Sequence, residues 1–142
     1  PISSSGPFPL AEVLEWPSLL REAQRAFETT GGLHGAALIS ASKELLAARE
    51  DIGRHNAVDK VVGWALLEAR LPLAEVGLVV SGRTSFEIIQ KALRAGIGLV
   101  AAVSAASSLA AQLSEEEGLT LIGFVRNGSC TIYSHPERLD VG

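Results

Sequence analysis

Residues Val76–Val103 read VGLVVSGRTSFEIIQKALRAGIGLVAAV. Val76–Val80 is a continuous apolar run, the pattern of a strand covered on both faces. A polar junction follows at Ser81–Thr84, and Ser85–Arg94 then spaces its apolar residues at a helical period, with Gly96 as its stop. Ile97–Val103 is a second buried strand. Strand, polar junction, helix, strand is the unit of a parallel sheet with a right-handed crossover. The unit repeats downstream, with a helix over Ser107–Glu117 ended by Gly118 and a strand over Leu119–Val125. The turn Arg126-Asn127-Gly128 contains an Asn-Gly hairpin signature and leads into a last strand at Cys130–Ser134.

Upstream, the opening PISSSGPFPL is rich in turn formers, so residues 1–16 are expected to form an N-terminal arm or linker and residues 17–142 the domain. Pro17 suits the first turn of a helix running to about Thr29, with Leu19, Leu20, Ala23 and Phe27 on one face. Gly31-Gly32 ends it. Ala36–Ser40 and Leu45–Arg49 read as an antiparallel hairpin. A helix is expected over Asn56–Ala69, with Val58, Val61, Val62, Ala65 and Leu66 turned inward. This order predicts an α/β fold, a three-layer α/β/α sandwich with a mixed sheet. The strands ending near Arg49, Val80, Val103 and Val125 should bring their carboxyl ends to one rim.

Composition limits the function. The 142 residues make one domain with a 47% apolar content and only 5% aromatics, so the core is aliphatic. A net charge of −4 supplies no basic face for nucleic acid. No apolar run reaches the roughly 18 residues of a membrane span, and no segment has the layout of a signal peptide. One cysteine, Cys130, excludes an internal disulfide and suits a reducing cytoplasm. A cytoplasmic protein without nucleic-acid or membrane partners is therefore expected. The absence of methionine fits either a removed initiator or a piece of a longer chain.

Three polar blocks stand out: TGGLH (Thr30–His34), EDIGRHNAVDK (Glu50–Lys60) and SGRTSFE (Ser81–Glu87). The second and third lie at helix starts, where free backbone N–H groups and the helix dipole favour an anion. Helix capping explains part of each block, through Asn56 as N-cap in one and a Thr84/Glu87 capping box in the other. Capping does not explain Arg54, His55 or Arg83, because a cation at a helix N-terminus is unfavourable unless an anion offsets it. Gly82 allows a ligand or another backbone to approach closely. Arg54, His55, Asn56, Ser81, Gly82, Arg83 and Ser85 are thus candidates for holding a phosphorylated small molecule. His34 and Arg126 stay open between structural and ligand roles. One Cys and three His make a structural zinc site improbable, and there is neither a P-loop nor a G-x-S-x-G elbow.

These blocks, together with Ala101–Ala105 and Gly118–Arg126, resemble the signature of the formate dehydrogenase accessory sulfurtransferase family. The resemblance runs from about Pro17 to Arg138. It implies a cytidine-deaminase-like core, a homodimer, and binding of the molybdenum cofactor in its bis-molybdopterin guanine dinucleotide form. It also implies that sulfur from a cysteine desulfurase reaches this cofactor before insertion into formate dehydrogenase. The cofactor-binding segment maps onto Phe124, Val125, Arg126, Asn127, Gly128 and Ser129, with the candidates above, including His34, on the same rim. GDP is then the natural surrogate ligand. Family members carry sulfur on a Cys-x-x-Cys loop, expected upstream of Pro1; this chain has no such pair, so it is assigned no catalytic residue and its standing as an enzyme stays open. Cys130 inherits no role, Ser129 stands where a basic residue is expected, and His55 alone could not hold zinc. Two other readings remain: a non-catalytic nucleotide-binding or docking module, and a nucleotide hydrolase or deaminase using His55 with Asp51 or Glu50.

Overall fold

The computed structural model describes residues 7–26, 33–68, 73, 75–126 and 128–142. Its elements are β1 (Phe8–Pro9), α1 (Leu10–Val13), α2 (Trp16–Ala26), β2 (His34–Ser40), β3 (Leu45–Asp51), α3 (Arg54–Leu67) and β4 (Val76–Val80). Then come α4 (Phe86–Ala95), β5 (Leu99–Ala102), α5 (Ser108–Glu117), β6 (Thr120–Arg126), β7 (Ser129–Ser134), a 3-10 turn (Pro136–Arg138) and β8 (Leu139–Asp140). Six strands form one sheet in the order β3-β2-β4-β5-β6-β7, while β1 and β8 pair separately. β2 is antiparallel to both β3 and β4, β4 is parallel to β5, and β5 to β6. Hence β3, β4, β5 and β6 run the same way and end on one rim, as the sequence predicts.

Alternation along the strands builds a core on each face. Ala36 and Leu38 of β2 join Leu78 and Val80 of β4 beneath Val58, Val61, Ile88 and Ala110 of α3–α5. Ala37, Ile39, Val79 and Leu99 point the other way, against Phe8, Trp16 and Leu20. Each large apolar side chain buried in this way contributes about 1.5–3 kcal/mol. α4 and α5 are stopped by the left-handed glycines Gly96 and Gly118.

Four sequence expectations need correction. The arm predicted over residues 1–16 is core from Phe8 onward: Phe8 and Val13 are fully buried, and Phe8 meets Trp16 edge to face with ring centres 5.8 Å apart. Its turn-rich composition hid two aromatic anchors. Leu66 of α3 is exposed rather than inward, because the buried face runs through Ala57, Val58, Val61 and Ala65. α3 starts at Arg54 with Gly53 as N-cap, not at Asn56, whose side chain donates to Asp51 Oδ1 instead. The cap of α4 is Ser85, whose Oγ accepts from the Ile88 N–H. Thr84 is instead fully buried in a bridge to Ala106. Phe27 and the Thr30–Gly32 turn lie outside the described residues.

The chain's C-terminal strap is held by His135, which adopts a left-handed φ of 45°. Its Nδ1 lies 2.6 Å from Glu137 Oε1 and its Nε2 lies 2.8 Å from the Glu115 carbonyl. Both neighbours are acceptors, so the imidazolium satisfies both, and the Glu115 carbonyl and Glu137 carboxylate raise its pKa. A raised pKa gives stability that is complete below the ordinary value near 6.5 and fades as pH climbs through the raised one. The melting-temperature gap between wild type and His135→Asn should therefore narrow from about pH 6 to about pH 9. A gap independent of pH would show that the charge plays no part.

Candidate anion-binding rim

The rim collects the ends of β3, β4, β5 and β6 with the starts of β2 and β7, since His34 pairs with Asp51 and Ser129 with Arg126. The second and third polar blocks and His34 of the first therefore reach it. At its centre, the hairpin is tied to β4: the Gly35 N–H donates to Ser81 Oγ at 2.8 Å, and the Ser81 N–H donates to the Gly35 carbonyl. This places Gly82 directly against His34. A Cβ at Gly82 would stand 3.0 Å from His34 Nδ1 and 3.6 Å from Arg54 Cδ, so the missing side chain lets the imidazole and the arginine stem close over the turn.

The first turn of α3 supplies the charge. Gly53 provides no side-chain cap, so Asp51 takes over: its Oδ1 accepts from the Gly53 N–H at 2.9 Å and from Asn56 Nδ2 at 3.2 Å, and its Oδ2 faces Lys60 Nζ at 2.9 Å. The Gly53 N–H, then Lys60 and Asn56, hold the Asp51 carboxyl down at about 2. His55 Nε2 lies 2.8 Å from Ser85 Oγ, joining the starts of α3 and α4. Arg54 Nε is buried and has no hydrogen-bond partner among the described residues. A buried donor without an acceptor costs about 1–3 kcal/mol, which an anion on the rim would remove. Gly53–Asn56 line a shallow cleft of about 350 Å3.

His34, Arg54, His55, Ser81, Gly82 and Ser85 are thus one cluster. Asn56 and Arg83 are exposed at its edge. The end of β6 and its turn into β7 lie apart, with β5 between them and β4. There Phe124 is partly exposed with a left-handed φ of 50°, Val125 is buried in the α2-side core, and Arg126, Gly128 and Ser129 are exposed. Asn127 lies outside the described residues. The sequence reading missed Arg21 and Ser18, which line a cleft with Arg126. Only tertiary packing brings α2 there, so no local signal could have found them. The acid–base pairing of His55 with Asp51 or Glu50 does not form: Asp51 is taken up by α3, and Glu50 accepts from Gln24 of α2 at 2.7 Å. No group of three or more His, Cys, Asp or Glu gathers to hold a metal among the described residues. Nor, among them, is any helix long and apolar enough to cross a membrane.

The fold and rim define a mixed α/β protein whose polar strand ends carry a cluster of Arg, His and Ser side chains. The FdhD/NarQ family model matches residues 2–140, and the chain belongs to that family. It is 54% identical over 140 residues to the sulfur carrier protein FdhD of Nocardia farcinica, covering 98% of this chain and 50% of that protein. It is also 48% identical over 129 residues to the FdhD of Sulfolobus acidocaldarius, covering 91% of this chain and 51% of that one. The chain thus spans about half the length of these curated relatives. A crystal structure of a formate dehydrogenase accessory protein from Desulfotalea psychrophila superposes with a TM-score of 0.87 at 28% identity, covering 99% of this chain and 62% of that one.

Proposed function

We propose that this chain is the cofactor-binding portion of a sulfur carrier serving formate dehydrogenase, and that its rim holds a guanine-nucleotide form of the molybdenum cofactor. The observation that carries the proposal is the Arg54 cluster: a buried guanidinium nitrogen with no partner among the described residues, its stem beside Gly82 and His34, in a helix start that His55 ties to Ser85 of the next. Arg54 and Arg83 with the α3 N–H groups are suited to the phosphates, and Phe124–Ser129 to a further part of the ligand. A cytidine-deaminase-like core belongs to the same reading; in it the helix starts at Arg54 and Phe86 would stand where such enzymes hold zinc. A cysteine desulfurase as sulfur source, formate dehydrogenase as recipient, a homodimer and a cytoplasmic setting complete it.

The sulfur-carrying thiol is assigned to the half of the relatives that this chain does not match. Burial pushes the Cys130 thiol up, away from the thiolate that sulfur transfer needs. That observation also favours the second reading, a nucleotide-binding or docking module that carries no sulfur itself. Both readings require the rim to bind. GDP should raise the melting temperature in step with ln(1 + [L]/Kd), while AMP and cytidine should leave it nearly unchanged. Equal shifts with every nucleotide, or none with GDP, would count against the proposal.

A further inference from the structure

We infer that the hydrogen bond between His55 and Ser85 is a proton-operated switch: anion binding on the rim takes up a proton at His55, which releases the Ser85 hydroxyl to the ligand. The inference rests on the nucleotide reading and adds a regulation of that same site by pH. His55 Nε2 lies 2.8 Å from Ser85 Oγ, and this oxygen also accepts from the Ile88 N–H at 3.3 Å as the cap of α4. A serine oxygen has two lone pairs and one proton. A neutral imidazole can take that proton at Nε2, which turns the hydroxyl toward the ring. An imidazolium can only donate there. Both lone pairs of Ser85 Oγ are then filled, and its proton needs a further acceptor. Among the described residues Ser85 Oγ has no third partner, so an anion is the group that completes it.

The charges around the pair set the direction of the effect. Arg54 precedes His55 on α3, and Arg83 stands two residues before Ser85. The acids of the neighbouring elements are engaged. Asp51 of β3 holds the Gly53 N–H, Asn56 and Lys60, and Glu50 holds Gln24. Asp59, one turn along α3, pairs with Lys91 of α4 at 2.7 Å, and Glu87 is exposed in the first turn of α4. His34 of β2 faces Gly82 and not Ser85. Two guanidiniums and two helix N-termini thus oppose a further positive charge on the ring, and a phosphate among them reverses the sign. Linkage is reciprocal: an anion that favours the imidazolium is itself bound more tightly as pH falls through the range where imidazoles titrate.

NMR titration of the imidazole rings with and without GDP tests the switch. The chain has three histidines, and His135, beyond the end of β7 far from the rim, is the internal control. Saturating GDP should move the His55 midpoint upward by about one pH unit, a tenfold change in its protonation equilibrium, and leave His135 in place. His55→Gln keeps an amide donor toward Ser85 but cannot titrate. From about pH 8 to about pH 6, GDP affinity should therefore rise about fivefold more in wild type than in His55→Gln, a comparison that cancels the ionisation of the phosphate itself. A His55 midpoint that stays or falls while GDP binds, a shift confined to His34, or an equal shift at His135 overturns the switch and leaves the nucleotide reading standing. Failure of GDP to bind at either pH overturns both.

Discussion

Arg54→Ala is expected to weaken GDP binding by ~1.5–3 kcal/mol, about ten- to a hundredfold, with little change in melting temperature. The side chain is only half-buried and belongs to no ion pair among the described residues, so the aliphatic core does not depend on it. Its Nε, by contrast, is shut away from solvent without an acceptor among the described residues. Truncation removes that unsatisfied donor from the free protein and one charge-assisted contact from the complex. Binding should therefore fall while folding holds or improves slightly. Calorimetric titration together with a thermal scan checks both halves. Unchanged GDP affinity, or a melting temperature lowered by several degrees, would make Arg54 a structural residue.

Gly77→Ala is expected to have the opposite signature: a large loss of stability and no direct effect on the rim. Gly77 is the second residue of β4, and a Cβ there would stand 2.3 and 2.5 Å from two ring carbons of Trp16. That ring is 1% exposed and braced by Phe8, so it has nowhere to swing. Overpacking of this kind typically costs 1–3 kcal/mol, and a rigid indole against a central strand puts the expectation at the upper end, about 3 kcal/mol. Denaturant unfolding of the variant should show a lower midpoint at unchanged slope. A Trp16→Leu background should recover part of the loss, since the smaller side chain leaves room for the new methyl. If Gly77→Ala unfolds like wild type, the packing of α2 on β4 is wrong.

Both cases show where sequence suffices and where it stops. The apolar run Val76–Val80 and the stops at Gly96 and Gly118 are local signals, and β4, α4 and α5 fall where they predict. The rim was legible because strand direction follows from the order of elements, which sends EDIGRHNAVDK and SGRTSFE to the same edge. Capping was harder to read, since Gly53 with Asp51, and Ser85 rather than Thr84, prevail through contacts among neighbours that compete for the same N–H groups. Phe8 and Trp16 could not be read as core, because β8, which pairs with Phe8, and β4, which Trp16 packs against, lie about 130 and about 60 residues away, far beyond any local periodicity. For the same reason nothing near Arg21 marked it as a neighbour of Arg126, although both line one cleft.

The most direct measurement of the central claim is the crystal structure of the protein grown with GDP. The account predicts density for the diphosphate against Arg54 and the first turn of α3, with His34 and His55 on either side and Gly82 closing the turn beneath. GDP bound elsewhere with this cluster untouched, or crystals at saturating GDP with no density on the rim, would contradict it.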